Sequence, residues 1–447
     1  MDLLELERSL IGDVWTSPSL EASLEYLCDA CHGRFAGTED ERRAGDFMLE
    51  RLGEFGAHNV AAEPFEMTGW VRGPARLGSV DGDVLRDLPC LALAGSPPGD
   101  VEGQVIDVGP GTPADFERLG EALAGKIVLA SAEGPHRLEK YARSQAAGAI
   151  AFVFANGRPG MLASAGSLNL GSKPTSLPGV GISLETASLL RRRLRNGPVR
   201  VRVSVEGGPR TVTARNIVGE LPGSDPSAGW IVACGHYDGH DIAQGAQDNA
   251  TGTAVVLEAA RVLAPLRSHL KAGIRFVLFS GEEMGMYGSE AYVRDHPAEL
   301  DRIRAVFNAD IVGLGAPLNL VVQNSPELAS YLRGLPLDDL GAQVRDERLV
   351  PYSDHFSFTL VGISSLMAVT SAPGQGHGWA HTAADTLDKV QVRPLREAAA
   401  TTARILLRMA MEPDALPSQR QPPEAVKQAL VAAGVDEPMR VRGVWPF

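Results

Sequence analysis

Cysteine is scarce. The 447 residues contain four, Cys28, Cys31, Cys90 and Cys234, far too few for the disulfide framework of a small secreted domain, and a reducing compartment fits them. No apolar run reaches the roughly 18 residues that a membrane-spanning helix needs. The opening MDLLELERSLIGDVW is acidic early and has neither the basic segment nor the apolar core of an export signal, so the expectation is a cytoplasmic protein with no membrane partner. Positive charge is also short. The formal net charge is −13, and nucleic-acid binding relies on Lys and Arg displacing counterions, so no nucleic-acid partner is expected. Glycine-rich stretches such as DVGPGTPAD lack the Lys-Ser/Thr ending of a phosphate loop and read as turns. Internal repeats and low-complexity tracts are missing too.

What is present is ordinary globular material: 44% hydrophobic and 22% charged residues, with 49 Gly and 30 Pro that point to a loop-rich α/β chain. The length exceeds what one hydrophobic core usually serves, so more than one domain is expected. In ERRAGDFMLERLGEFG, residues Ala44, Phe47, Met48, Leu52 and Phe55 share one helical face before Gly56 ends the pattern. Cys28 and Cys31 fall in a similar amphipathic stretch with no second CxxC, and read as core residues. From about Val80 to Arg202 the texture changes to short apolar strands (GQVIDVG, GKIVLAS) around an Ala/Gly-rich helix, which suggests a separate domain. Beyond Asn216 apolar strands alternate with helical segments, as in a largely parallel sheet covered by helices. The strands are ARNIVGEL, GWIVACG, GIRFVLFS, IRAVFNA, LNLVVQ and SSLMAVT. The helices are TGTAVVLEAARVLAPL, SPELASYLRGL and PLREAAATTARILLRMA. The tail is Pro-rich, then helical near PEAVKQALVAAG, and its apolar end VWPF suits docking on the core or on a partner.

The informative polar residues sit just past strand candidates. His236 and Asp238 follow WIVACG, Glu282 and Glu283 follow IRFVLFSG, Asp310 follows AVFNA, and His381 lies beyond SLMAVT. The carboxyl ends of strands form the ligand crevice of an open α/β sheet, so one site can collect them. Each has a bland reading alone. His-x-Asp is usually a loop pair, an adjacent Glu pair suits the start of a helix, Asp310 and QDNATG suit caps, and His381-Thr382 suits a turn. Together they are two imidazoles and several carboxylates, the nitrogen and oxygen donors that zinc accepts. A shared carboxylate such as Asp248 could bridge two ions at the spacing that polarises one water and one carbonyl.

The blocks GHYD, QDNATGTAVVLEAARVL, FSGEEMGMYGSEAYV, FNADIVG, SDHFSF and HTAADTLDKV resemble the successive signatures of the co-catalytic double-zinc aminopeptidase family. That family includes aminopeptidase Y, plasma glutamate carboxypeptidase and glutamate carboxypeptidase II. The resemblance covers roughly residues 25 to 75 and 210 to 405. It implies a mixed, mostly parallel sheet sandwiched by helices, of the zinc aminopeptidase or phosphorylase/hydrolase-like type, with a smaller β-rich α/β insert. His236 and Asp310 would hold one zinc, Glu283 and His381 the other, and Asp248 would bridge them, with other divalent ions as alternatives. Glu282 matches the general base, and Asp238 the carboxylate that orients the ligand histidine. The stretch from Val80 to Arg202 resembles the protease-associated domain inserted in such peptidases and supplies no expected catalytic group. The expected division is 1–76 and 209–412 for the peptidase domain, 77–208 for the insert and 413–447 for the tail.

The family's tyrosine before the last histidine is replaced by Ala380. Tyr352, His355 and His377 are then the candidates for substrate or oxyanion contacts, since a donor must lie within about 3 Å of the developing charge. The expected activity is hydrolysis of a peptide or related amide, with an aminopeptidase on short peptides as the leading form. The alternatives are a dipeptidase, a carboxypeptidase or a specialised amide hydrolase. From a different class, a non-catalytic binding protein on a peptidase scaffold also remains. The oligomeric partner is left open by the sequence.

Overall fold

The computed structural model describes residues 2–81, 84–169, 175–346, 348–370 and 379–447. Its contacts divide the chain into two units: Met1–Met67 with Thr213–Ala380 and Asp385–Val435, and Thr68–Val212 with His381–Ala384 and Asp436–Phe447. Among the described residues no helix is long and apolar enough to cross a membrane.

An eight-stranded sheet organises the first unit, in the order His58–Val71, Gly208–Leu221, Gly273–Phe279, Trp230–His236, Ile303–Ala309, Ser365–Val369, Leu318–Gln323, Ala342–Arg345. From Gly273–Phe279 to Ser365–Val369 neighbouring strands run parallel. Gly208–Leu221 and Leu318–Gln323 flank them antiparallel, so the sheet is mixed. The parallel strands are near-continuous apolar runs because both their faces are covered. Ile231, Ala233, Ile274, Phe276, Leu278, Ala305 and Phe307 belong to one core, which includes the helices Leu3–Thr16, Glu39–Glu54, Thr251–Leu263 and Val392–Met411. Val232, Cys234, Val277, Phe279 and Val306 alternate with them and join Tyr292 and Phe358 of the helices Tyr287–Asp295 and His355–Leu360 in a second core. This is the expected helix-covered sheet.

Helix Glu39–Glu54 buries Ala44, Met48 and Leu52, while Phe47 and Phe55 are half-buried against the same core. It stops where Gly56 takes a φ of 83°, the left-handed turn that glycine adopts without a Cβ clash. Cys28 and Cys31 are buried and free, and burial pushes their thiols up to about 12 and about 11. They are core residues, as the amphipathic stretch suggested.

The second unit has its own eight-stranded sheet, in which Gly99–Gly109, Ile127–Ser131, Ala151–Ala155 and Gly179–Ile182 form a parallel run. Val128, Tyr141, Phe152, Phe154 and Leu168 fill its core. The C-terminal helix Asp436–Arg442 packs on Arg137–Ala146, where Arg143 pairs with Glu437. The apolar end turns back on that helix, with the Arg440 guanidinium 4.5 Å from the Trp445 ring centre.

Candidate active site

The parallel strands bring their carboxyl ends level. His236 pairs in register with Phe279, Cys234 with Asn308, and Ala309 with Ala368. His236 is the last residue of its strand, Asp310 the first beyond its own, and Glu282 and Glu283 lie in the turn after Phe279. The four therefore project at one edge of the sheet, where a crossover fold leaves its ligand crevice.

His236 is buried between two sets of acceptors. Its Nδ1 lies 3.1 Å from the main-chain oxygen of Asp238 and 3.6 Å from that residue's Oδ1. On the other side Nε2 lies 3.3 Å from Asp248 Oδ1, 3.6 Å from Asp310 Oδ1 and 3.9 Å from Glu282 Oε2. Burial works against a charged imidazole, but the Glu282 charge and the Asp238, Asp248 and Asp310 carboxylates beside the ring override it and raise the His236 pKa well above its ordinary value. The site therefore favours a positive charge at the spot that Nε2 faces. His236, Glu282 and Asp310 each offer a ligand atom, and the three atoms lie within 4.8 Å of one another. Imidazole nitrogen and carboxylate oxygen are donors that fit a divalent cation such as zinc. The Asp238 carboxylate also accepts the main-chain N–H groups of Glu282 (3.1 Å) and Glu283 (3.3 Å), so one side chain sets both the His236 loop and the Glu pair.

Asp248 lies in an irregular turn whose next peptide, Asp248–Asn249, is cis, and it is followed by the buried helix Thr251–Leu263. Asn249 locks this turn to the neighbouring strand end. Its Oδ1 accepts from Gly252 N–H (3.1 Å) and Ile311 N–H (3.0 Å), and its Nδ2 donates to Ala309 O (2.9 Å). Asp310 is thereby bracketed. The capping role read from QDNATG thus falls to Asn249, while Asp248 faces His236. Gly252 permits the approach, since a Cβ there would meet Ala309 O and Asn249 Oδ1 at 2.3 Å each. Asn249→Ala is expected to cost about 2–4 kcal/mol, because buried donors and acceptors lose their partner. It should also lower kcat/KM by about 10²-fold by displacing Asp248 and Asp310. Denaturant unfolding and steady-state kinetics measure the two effects, and a destabilised protein with unaltered kinetics would show that Asn249 only packs.

His381 heads the stretch His381–Ala384, which groups with the second unit; there Ala165 N–H donates to the His381 carbonyl at 2.9 Å. The residues on either side of that stretch are tied to the Asp248 turn. Trp379 N–H donates to Gln247 Oε1 (2.9 Å), and Asp385 accepts from Gln247 N–H (2.8 Å) and Asp248 N–H (3.1 Å). Burial raises Asp385 to about 7.

Tyr352 is half-buried. His355 is fully buried with Nε2 3.1 Å from Val350 O, and burial pushes its pKa down to about 4. His377 lies outside the described residues.

The structure adds groups that sequence reasoning passed over. Asp354, inside the SDHFSF block, is fully buried; burial, opposed by His236 and reinforced by Asp238 and Asp310, raises it to about 7. His240 lies 2.9 Å through Nε2 from Glu283 Oε2. Arg34, also fully buried, donates to five main-chain oxygens: Leu27 (2.8 Å), His32 (2.9 Å), Tyr237 (2.7 Å), Gln244 (2.5 Å) and Gly245 (2.8 Å). It fixes the loop between His236 and Asp248. The block GHYDGHD displayed His240 openly, but Arg34 left no local signal at all.

Buried imidazole and carboxylates converging at the carboxyl edge of a mixed α/β sheet define the class of metal-dependent hydrolases. The family model of peptidase family M28 matches residues 216–406, and that of the PA domain matches residues 94–190. The chain thus resembles peptidase family M28 with an inserted PA domain. It is similar to aminopeptidase YwaD of Bacillus subtilis (strain 168), with 27% identity over 400 residues, 84% of this chain and 81% of that protein. Carboxypeptidase Q of Bos taurus is 27% identical over 312 residues, covering 64% of this chain and 63% of that protein. The aminopeptidase from Aneurinibacillus sp. strain AM-1 superposes with a TM-score of 0.68 at 26% identity, over 90% of this chain and 96% of that one.

Proposed function

We propose that this peptidase is an aminopeptidase acting on short peptides with two zinc ions. The carrying observation is the convergence of Asp248, Asp310 and Glu282 on the buried Nε2 of His236. In this reading His236 and Asp310 hold one ion, Glu283 and His381 the other, and Asp248 serves both. The anchoring of Trp379 and Asp385 on the Gln247–Asp248 turn supports His381 as a member of the set. Bound zinc supplies Lewis acidity toward the scissile carbonyl and makes water nucleophilic near neutral pH.

The chain's own residues do the rest. Glu282 is the general base: it takes a proton from the attacking water onto its carboxylate and hands it to the leaving amine. Burial, offset by His236 and reinforced by Glu283, Asp310 and Asp354, raises Glu282 above the usual carboxylate range, and a cation held beside it would favour the ionised form that a base needs. Asp238 holds the His236 ring and, through the amides of Glu282 and Glu283, the base itself. Tyr352 is the proposed donor to the developing oxyanion in place of the residue that Ala380 replaces.

The names of two relatives, YwaD and the Aneurinibacillus enzyme, support the aminopeptidase form, whereas the likeness to carboxypeptidase Q favours a second reading in which the substrate's carboxyl end is anchored. Zinc-loaded protein is expected to release the first residue of free di- to tetrapeptides and to leave N-acetylated ones intact. Cleavage of N-acetylated peptides with free carboxyl ends would replace the aminopeptidase reading with the second. Failure to cleave any peptide by fully loaded protein would leave only a binding scaffold.

A further inference from the structure

Among the described residues, His240 is a metal-competent side chain beyond those already assigned. His240 stands four positions after His236, 4% exposed, with its ring stacked against Phe35 at a centroid distance of 6.0 Å and an interplanar angle of 24°. Its Nε2 approaches Glu283 Oε2 to 2.9 Å, and Glu283 is itself 5% exposed. This placement is not that of a wandering loop side chain. Arg34 grips the loop on both sides of His240 through the carbonyls of Tyr237, Gln244 and Gly245. On the remaining side Gly33 backs it so closely that a Cβ would meet Asp241 Cα at 2.7 Å and His240 O at 2.9 Å.

Two donor atoms held about 2.0–2.1 Å from one zinc ion stand about 2.9–3.4 Å apart for ligand angles between 90° and the tetrahedral value. The His240–Glu283 separation falls in that range, in a burial that removes water as the competing ligand. On the two-ion reading proposed above, the ion on His236, Asp310 and Asp248 has three protein donors, the count that leaves a position open for water or substrate. The other ion would have Glu283, His381 and the shared Asp248. We propose that His240 is a further ligand of the Glu283 ion through Nε2. That ion then has four protein donors, the count of a closed site, and is the firmly held member of an unequal pair.

Metal retention tests this without reference to turnover. Zinc-loaded full-length protein is dialysed against zinc buffers of falling free concentration, and bound metal per chain is measured by atomic emission. Wild type is expected to release one equivalent well before the second. In His240→Ala and in His240→Gln, the second equivalent should weaken by more than about 100-fold, beyond the 10–100-fold typical of losing a hydrogen-bond partner of a ligand. Gln can still donate to Glu283, so recovery of wild-type retention in His240→Gln would make His240 an orienting residue and overturn the proposal. Unaltered retention in both variants would overturn it too. Glu283→Ala separates this from failure of the parent reading: if that variant still binds two ions as wild type does, the two-ion assignment itself is wrong. Should the His240 variants not fold, cobalt-substituted wild type serves instead. Three exchangeable, paramagnetically shifted imidazole N–H resonances are expected, from His236, His240 and His381, and a count of two would overturn the assignment.

Discussion

Glu282→Gln should lower kcat by about 10²–10⁴-fold, the usual contribution of a general base, while bound metal per chain and KM stay near wild type. Gln preserves the shape and the main-chain contact of residue 282 with Asp238, which runs through the amide N–H and not the side chain. It removes the carboxylate's capacity to accept a proton together with its negative charge. The effect should thus fall on kcat and on kcat/KM alike, the signature of an interaction made in the transition state. Metal analysis alongside steady-state kinetics decides the matter. Equal turnover at equal metal content would exclude Glu282 as the base, whereas lost metal would make it a ligand, a role its membership in the His236–Asp310 group also allows.

Stripping the metal with a chelator is expected to abolish peptide cleavage, to restore it on adding zinc, and to lower Tm. The stability effect follows from linkage. A ligand that binds only the folded chain stabilises it by about 4 kcal/mol at a free concentration 1,000 times its Kd. Without the cation, the buried carboxylates around His236 also repel one another or take up protons, and the raised pKa values of Glu282 and Asp354 express that cost. Asp248→Ala should mimic the chelator more severely, because its carboxylate is assigned to both ions: metal content should fall by at least one equivalent, and added zinc should not restore activity. Chelated protein with undiminished turnover would remove the metal from the mechanism altogether.

The strand ends were the legible part of this site. His236, Glu283 and Asp310 follow apolar runs whose period and length declare buried parallel strands, so the side chains that end or follow them must appear at one sheet edge. The less regular parts of the fold were harder to read. Leu3–Thr16 fully buries Leu6, Glu7, Leu10 and Val14, and Glu7 enters a core position because Arg404 and Arg408 pair with it. The edge strand Ala342–Arg345 is short and ends exposed, so its pattern is too brief to separate from a loop.

By itself the sequence determined the helix-covered sheet, the order of its central strands' functional ends and the donor types available for catalysis, because burial on both faces imposes apolar runs that are readable one segment at a time. Only the tertiary structure decided that Asn249 bolts Asp248 to the flanks of Asp310, that Arg34 closes on the carbonyls of a loop some two hundred positions away, and that His240 meets Glu283. Those links join side chains to distant backbone or to one another across the fold. Such contacts depend on where whole elements pack, and no local periodicity or composition encodes them.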